Sequence, residues 1–176
     1  MTFKERSDYF KMICSKVKII AHNVNVEGTV RNSYFRFNNE EELNVACKEF
    51  AHFPCVVHIG HNISFTHNGD ALPKKKIANH LYFLAQTNKS LYPFENDAIE
   101  AAYEEAYRAM SHFISFMIDE AEDTGANCDG LFLFDMNTAR AEQIGPYNES
   151  LYGWYITFYD VDKAKEFIYN SNNYYS

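Results

Sequence analysis

"CVVHIGHNISF", residues 55–65, admits two readings that lead to different folds. Taken as a buried strand running into the first turn of a helix, it would open a nucleotide-binding α/β unit. Taken as one continuous strand, it belongs to a hairpin. The letters favour the strand. After Cys55, Val56 and Val57, the run Asn62-Ile63-Ser64-Phe65-Thr66 alternates polar and apolar, carries β-branched and aromatic side chains, and leads to the turn pair Asn68-Gly69. "IANHLYFLAQ" (77–86) has the same character, so 55–86 reads as a long-looped hairpin entered after Pro54. Its loop carries Lys74, Lys75 and Lys76 after Pro73, a solvated, aggregation-blocking turn.

Towards the N-terminus, Thr2 to about Ile20 reads as a helix. Thr2 and Glu5 have capping-box spacing, and Phe3, Phe10, Ile13, Cys14 and Val17 fall along one side. Residues 21–33 are loop or short strand, and "SYFRF" (33–37) is a strand. Asn39 caps a second helix, with Glu42 three residues on and an apolar side of Leu43, Ala46, Cys47 and Phe50.

Towards the C-terminus the strongest element runs from about Asn96 to Glu122, where Ile99, Tyr103, Ala106, Tyr107, Met110, Phe113, Ile114, Met117, Ile118 and Ala121 recur at spacings of three and four. It would be about 40 Å long, enough to cross a sheet. "LFLFDM" (131–136) is a strand, "ARAEQI" another before Gly145-Pro146, and "LYGWYITFYD" (151–160) the last. Asp162 is placed to cap a short helix, "KAKEFIY", and the tail 170–176 is expected to fray or to be taken up by a neighbour. This order predicts one α+β domain over 1–176, its mostly antiparallel sheet carrying a long helix and an N-terminal helix on one face.

Composition narrows the function classes. The chain has 176 residues, 24 acidic against 16 basic, and a formal charge of −8. Broad binding of a nucleic-acid backbone needs the opposite balance. No apolar run is long enough for a membrane helix, so no membrane partner is expected. Cys14, Cys47, Cys55 and Cys128 show no CxxC spacing and read as small apolar residues in a reduced compartment. Fifteen Phe, 13 Tyr and one Trp favour a protein that touches other proteins, although a Tyr-rich core would have the same count.

His58-Ile59-Gly60-His61 spells HIGH, a signature of class I aminoacyl-tRNA synthetases and related nucleotidyltransferases. That chemistry needs a helix start after the motif, and a strand follows instead. No KMSKS-like partner signature accompanies it. Metal ligation by His58, His61 and His67 meets a similar obstacle. Positions 58 and 61 of a regular strand point oppositely, whereas 61 and 67 share a side but lie about 20 Å apart. A bulge at Gly60 would change that parity. Cys55 beside His58 could be drawn as a thiol–base pair, yet Cys55 begins an apolar run and reads as core. Asp135 and Glu142 could together hold Mg²⁺, although acids also end strands for solubility. There is no P-loop, GxSxG, HExxH or dinucleotide fingerprint. No catalytic residue, cofactor or metal is expected.

Residues 132–160, "FLFDMNTARAEQIGPYNESLYGWYITFYD", carry a family resemblance. Ile-Gly-Pro, a polar spacer, and Tyr-Gly-Trp entering a terminal strand resemble small proteins of tail-morphogenesis clusters in bacteriophages and prophages of Bacteroidota. The layout, an N-terminal helix, a sheet, one long helix across it and closing strands, is similar to the tail-terminator and head–tail connector group. The resemblance implies a structural virion protein, assembled in the bacterial host cytoplasm. It would form a homo-oligomeric ring, often a hexamer, that docks on tail-tube, sheath or connector proteins and meets DNA only in passage through its lumen. Such rings have no catalytic residues. Alternation places Tyr152, Trp154, Ile156 and Phe158 on one side of the last strand, with Leu151, Tyr155, Thr157 and Tyr159 on the other. Gly153 would admit another backbone or a bulge. Tyr152, Gly153, Trp154, Tyr155 and Tyr159 are therefore the candidate interface residues, and a core strand is the plainer account of at least one face. A small metal-dependent hydrolase or nuclease built on Asp135, Glu142 and a histidine, and an intracellular adaptor binding through the Tyr-rich end, are the alternatives.

Overall fold

The computed structural model describes residues 3–37, 42, 51–66, 74–123 and 134–163. Helix α1 (Phe3–Lys16) comes first. Strands β1 (Asn25–Val26) and β2 (Thr29–Val30) then pair as a small ribbon of their own. The main sheet is built from β3 (Tyr34–Phe37), β4 (Cys55–Thr66), β5 (Lys74–Gln86), β6 (Phe134–Tyr147) and β7 (Leu151–Lys163). Helix α2 (Glu95–Asp123) lies between β5 and β6 in the chain. The strand order is β3-β4-β5-β7-β6; only the β3–β4 pair is parallel. The fold is α+β with a mixed, mostly antiparallel sheet, as the pattern of elements predicts.

Alternation sorts the strands' side chains between two faces. Val56, Leu81, Phe83, Ile156 and Phe158 meet Phe10 and Ile13 of α1 and Met110 and Phe113 of α2 in one cluster, so both helices cover the same face. Ala98, Ala102, Ala106 and Ala109 are all buried, and such small side chains let α2 lie close to the sheet. Phe113 is the large knob of that contact, packing on Phe10 and Phe83. The opposite face has its own cluster, Cys55, Val57, Tyr82, Leu84 and Leu151, with Phe35, Phe53, Tyr147 and Tyr155 around it.

Several boundaries differ from expectation. Helix α1 ends at Lys16, not near Ile20. The chain folds back there, with the His22 amide on the Cys14 carbonyl at 3.0 Å and Ala21 at a φ of 51°. Val17 and Ile20 are still buried, so apolar spacing outlasts the helix that began it. Lys74, Lys75 and Lys76 are strand residues opposite Thr66, Phe65 and Ser64, not loop residues. "FDM" and "ARAEQI" belong to one strand, β6, whose surplus residues are taken up between Asp135 and Arg140 and between Ile144 and Tyr147. Asp162 pairs with Lys75 inside the sheet and caps no helix at that point. The helix expected from Asn39 to Phe50 (apart from 42), the Asn68-Gly69 turn, residues 131–133 and everything from 164 lie outside the described residues. Among the described residues no helix is long and apolar enough to cross a membrane.

Candidate functional site

The two-histidine strand resolves first. His58 is fully buried under α1. Its Nδ1 lies 3.3 Å from the Tyr34 hydroxyl, and its ring meets Phe10 edge-on with centroids 5.1 Å apart. The Tyr34 hydroxyl donates to the Ser7 carbonyl at 3.1 Å and lies 2.9 Å from the Ser7 Oγ. Burial pushes the Tyr34 hydroxyl well above its ordinary titration range, so it stays a protonated donor. A histidine in this position ties β4 to β3 and α1 and cannot reach a phosphate.

Past His58 the register slips. His58 pairs with Leu81 but His61 with Asn79, so β4 holds one extra residue there, and Gly60 takes a φ of 45°. That is the bulge the metal reading required. Its visible effect is to bring Asn62 to the helix-free face, where the Asn62 Nδ2 lies 3.3 Å from the His80 Nε2. Among the described residues no three His, Cys, Asp or Glu side chains gather as a metal group would. Cys55 belongs to the cluster on the helix-free face while His58 faces α1, so the two are not a thiol–base pair. Asp135 and Glu142 stand opposite Tyr159 and Tyr155 of β7. Four strand residues separate those positions by about 13 Å, too far to share one ion.

His22 escaped sequence reading because nothing in its neighbourhood resembles a motif. Its Nδ1 accepts the amides of Ser33 at 3.1 Å and Tyr34 at 3.0 Å. A ring that accepts at Nδ1 carries its proton on Nε2 and is neutral. Burial, with Lys11 adding to it, lowers its pKa from 6.5 to about 4.

The candidate interface residues form no single surface. β7 is paired along one edge with β5 and along the other with β6, so it is a central strand. The expected alternation holds: Tyr152, Trp154, Ile156 and Phe158 belong to the helix-side cluster, Leu151 and Tyr155 to the other. Tyr155 bonds the His80 Nδ1 through its hydroxyl, and the two rings stack 5.8 Å apart. Burial lowers the pKa of His80. The Tyr159 amide donates to the Thr138 Oγ1 at 3.0 Å. Gly153 does admit a backbone, but that of β5: a Cβ there would stand 1.8 Å from the Phe83 carbonyl oxygen.

What reaches the surface lies beside α2. Glu100, Tyr103, Glu104 and Tyr107 line one wall of an open groove of about 420 Å³, and Trp154 of β7 and Gln143 of β6 line the other. The helical positions are spaced i, i+3, i+4 and i+7, which puts them on one stripe. The indole N–H of Trp154 donates to the Tyr103 carbonyl at 3.1 Å, fixing the ring. Tyr107, 51% exposed, tilts against it with centroids 5.7 Å apart. Tyr103 meets Tyr152 at 5.5 Å, and burial, then Tyr152, raises its pKa. Periodicity had placed Tyr103 and Tyr107 in the apolar stripe of α2. The structure sets Tyr107 at its outer margin, where only the position of β6 could have told it apart.

No family model matches the chain, and a search of the curated proteins finds no match.

Proposed function

We propose that this chain is a non-enzymatic structural subunit that works by docking, as a tail-terminator or neck-ring protein of a bacteriophage particle. It joins copies of itself into a ring and seats that ring on tail or connector proteins. The observation that carries the reading is the outer edge of β6. Among the described residues β6 pairs only with β7. Between its two irregularities, Arg140 to Ile144 keeps regular register with Thr157 to Gly153. A regular stretch at a sheet end presents backbone donors and acceptors to an incoming strand, and the bulges on either side limit how far such pairing can run. The groove lined by Gln143 and Trp154 adjoins this stretch, so an added strand would find aromatic surface next to it.

Light scattering on the purified chain, alone and mixed with tail-tube protein, tests the proposal. A mass several times 20.5 kDa in either sample is expected. A strict monomer in both, at high concentration, would overturn it.

A further inference from the structure

We propose that the groove between α2 and the β6–β7 edge binds an arginine side chain carried by a partner protein. Its walls combine two features that suit a planar cation. Glu100 and Glu104, one helical turn apart on α2, supply carboxylates, and among the described residues no basic side chain lines the groove. Tyr103, Tyr107 and Trp154 supply ring faces, whose quadrupoles are negative. A guanidinium stacks on such rings while its edge N–H groups reach carboxylate oxygens, a combination the compact ammonium of lysine matches less well. Gln143 adds a side-chain amide oxygen as a further acceptor at the rim.

The site is already ordered for this role. The Trp154 indole is held by the Tyr103 carbonyl, and Tyr107 leans on it with an interplanar angle of 59°. Little side-chain freedom would be lost when a ligand arrives. The groove is open along one side, and a small free cation would stay largely hydrated in it. A side chain delivered by a docked protein covers its own site, and the chain's charge of −8 favours a basic partner from a distance. The inference rests on the docking reading only in taking the partner to be a protein.

Trp154 is the only tryptophan in the chain, so its fluorescence reports the groove directly. The full-length protein is titrated with an arginine-bearing peptide and with the same peptide carrying citrulline, which keeps the shape and loses the charge. A saturable change in Trp154 emission with the arginine peptide is expected, at least tenfold weaker with citrulline and with the Glu100→Gln/Glu104→Gln double variant. Both glutamates are exposed, so the variant is expected to fold as the parent does, checked by its urea midpoint. Equal binding of the two peptides, an undiminished response in the double variant, or free arginine amide binding as tightly as the peptide would each overturn the proposal. Ring formation is read separately by light scattering, so an arginine site on a monomer, or a ring without an arginine site, remains distinguishable.

Discussion

Two aromatic clusters in this chain use nearly the same residues to different ends. Under α1, Tyr34, His58 and Phe10 are sealed from solvent, and each polar atom named there meets another side chain or backbone group. Beside α2, Tyr103, Tyr107 and Trp154 are equally well oriented but half open, with glutamates instead of backbone along the rim. Burial separates the two. In the first cluster the Tyr34 hydroxyl, the Ser7 hydroxyl and carbonyl and the His58 Nδ1 are spent on joining β3, β4 and α1. In the second, ring faces and carboxylates still face water. Residue type alone would have marked the histidine strand as the chemical site.

The comparison can be broken most severely at the seam between the clusters. Gly153→Ala drives a methyl group into the Phe83 carbonyl, where the rigid backbone of Phe83 and Leu84 in β5 cannot give way. We expect a loss of about 3 kcal/mol or more, or failure to fold, read by urea denaturation. Because β7 joins the two regions, the Trp154 signal and the far-UV circular dichroism should be lost together.

Acid should act through the histidines that burial holds neutral, His22 beside α1 and His80 on the other face. The fold holds His22 neutral, so its contribution is complete above the ordinary histidine value of 6.5 and is lost as pH falls from there towards about 4. The loss is at most about 3 kcal/mol for one such proton. His22→Asn, which keeps an acceptor near the Ser33 and Tyr34 amides but cannot take up a proton, should lessen the pH dependence of the urea midpoint across that window, leaving the part due to His80. An unchanged slope would show that His22 does not govern it.

The mildest test removes one oxygen from each cluster. Tyr34→Phe deletes the hydroxyl that meets Ser7 and His58 and should cost about 1–2 kcal/mol. Tyr107→Phe, at a half-exposed ring, should stay within about 0.5 kcal/mol of the parent in the same urea titration. Equal costs would erase the distinction between the clusters.

The architecture was largely legible, because long periodic runs leave little choice. The α2 stripe, the β4–β5 hairpin and the two-sided alternation of β7 were all readable from spacing. Ends and joins were not. α1 stops where backbone hydrogen bonds fold the chain back, although Val17 and Ile20 keep its apolar rhythm. β6 absorbs surplus residues as bulges, which look like a strand break in the letters. Gly153 reads as a place of close approach, but which backbone approaches depends on strand order: Leu84 of β5, 69 positions earlier in the chain, meets Gly153 only once the sheet is formed. The groove depended on the same information, since Gln143 and Trp154 meet α2 only through the placing of β6 and β7.

Gly60 has one more consequence. A strand keeps time in twos, and its inserted residue is a skipped beat: what lay in phase with the helices before it falls out of phase afterwards. Against β5, His58 is the last residue paired on the old beat and His61 the first on the new one. The four letters that imitate a nucleotide enzyme are thus the spelling of a phase change, and a search for that word alone will collect strands that limp as readily as enzymes.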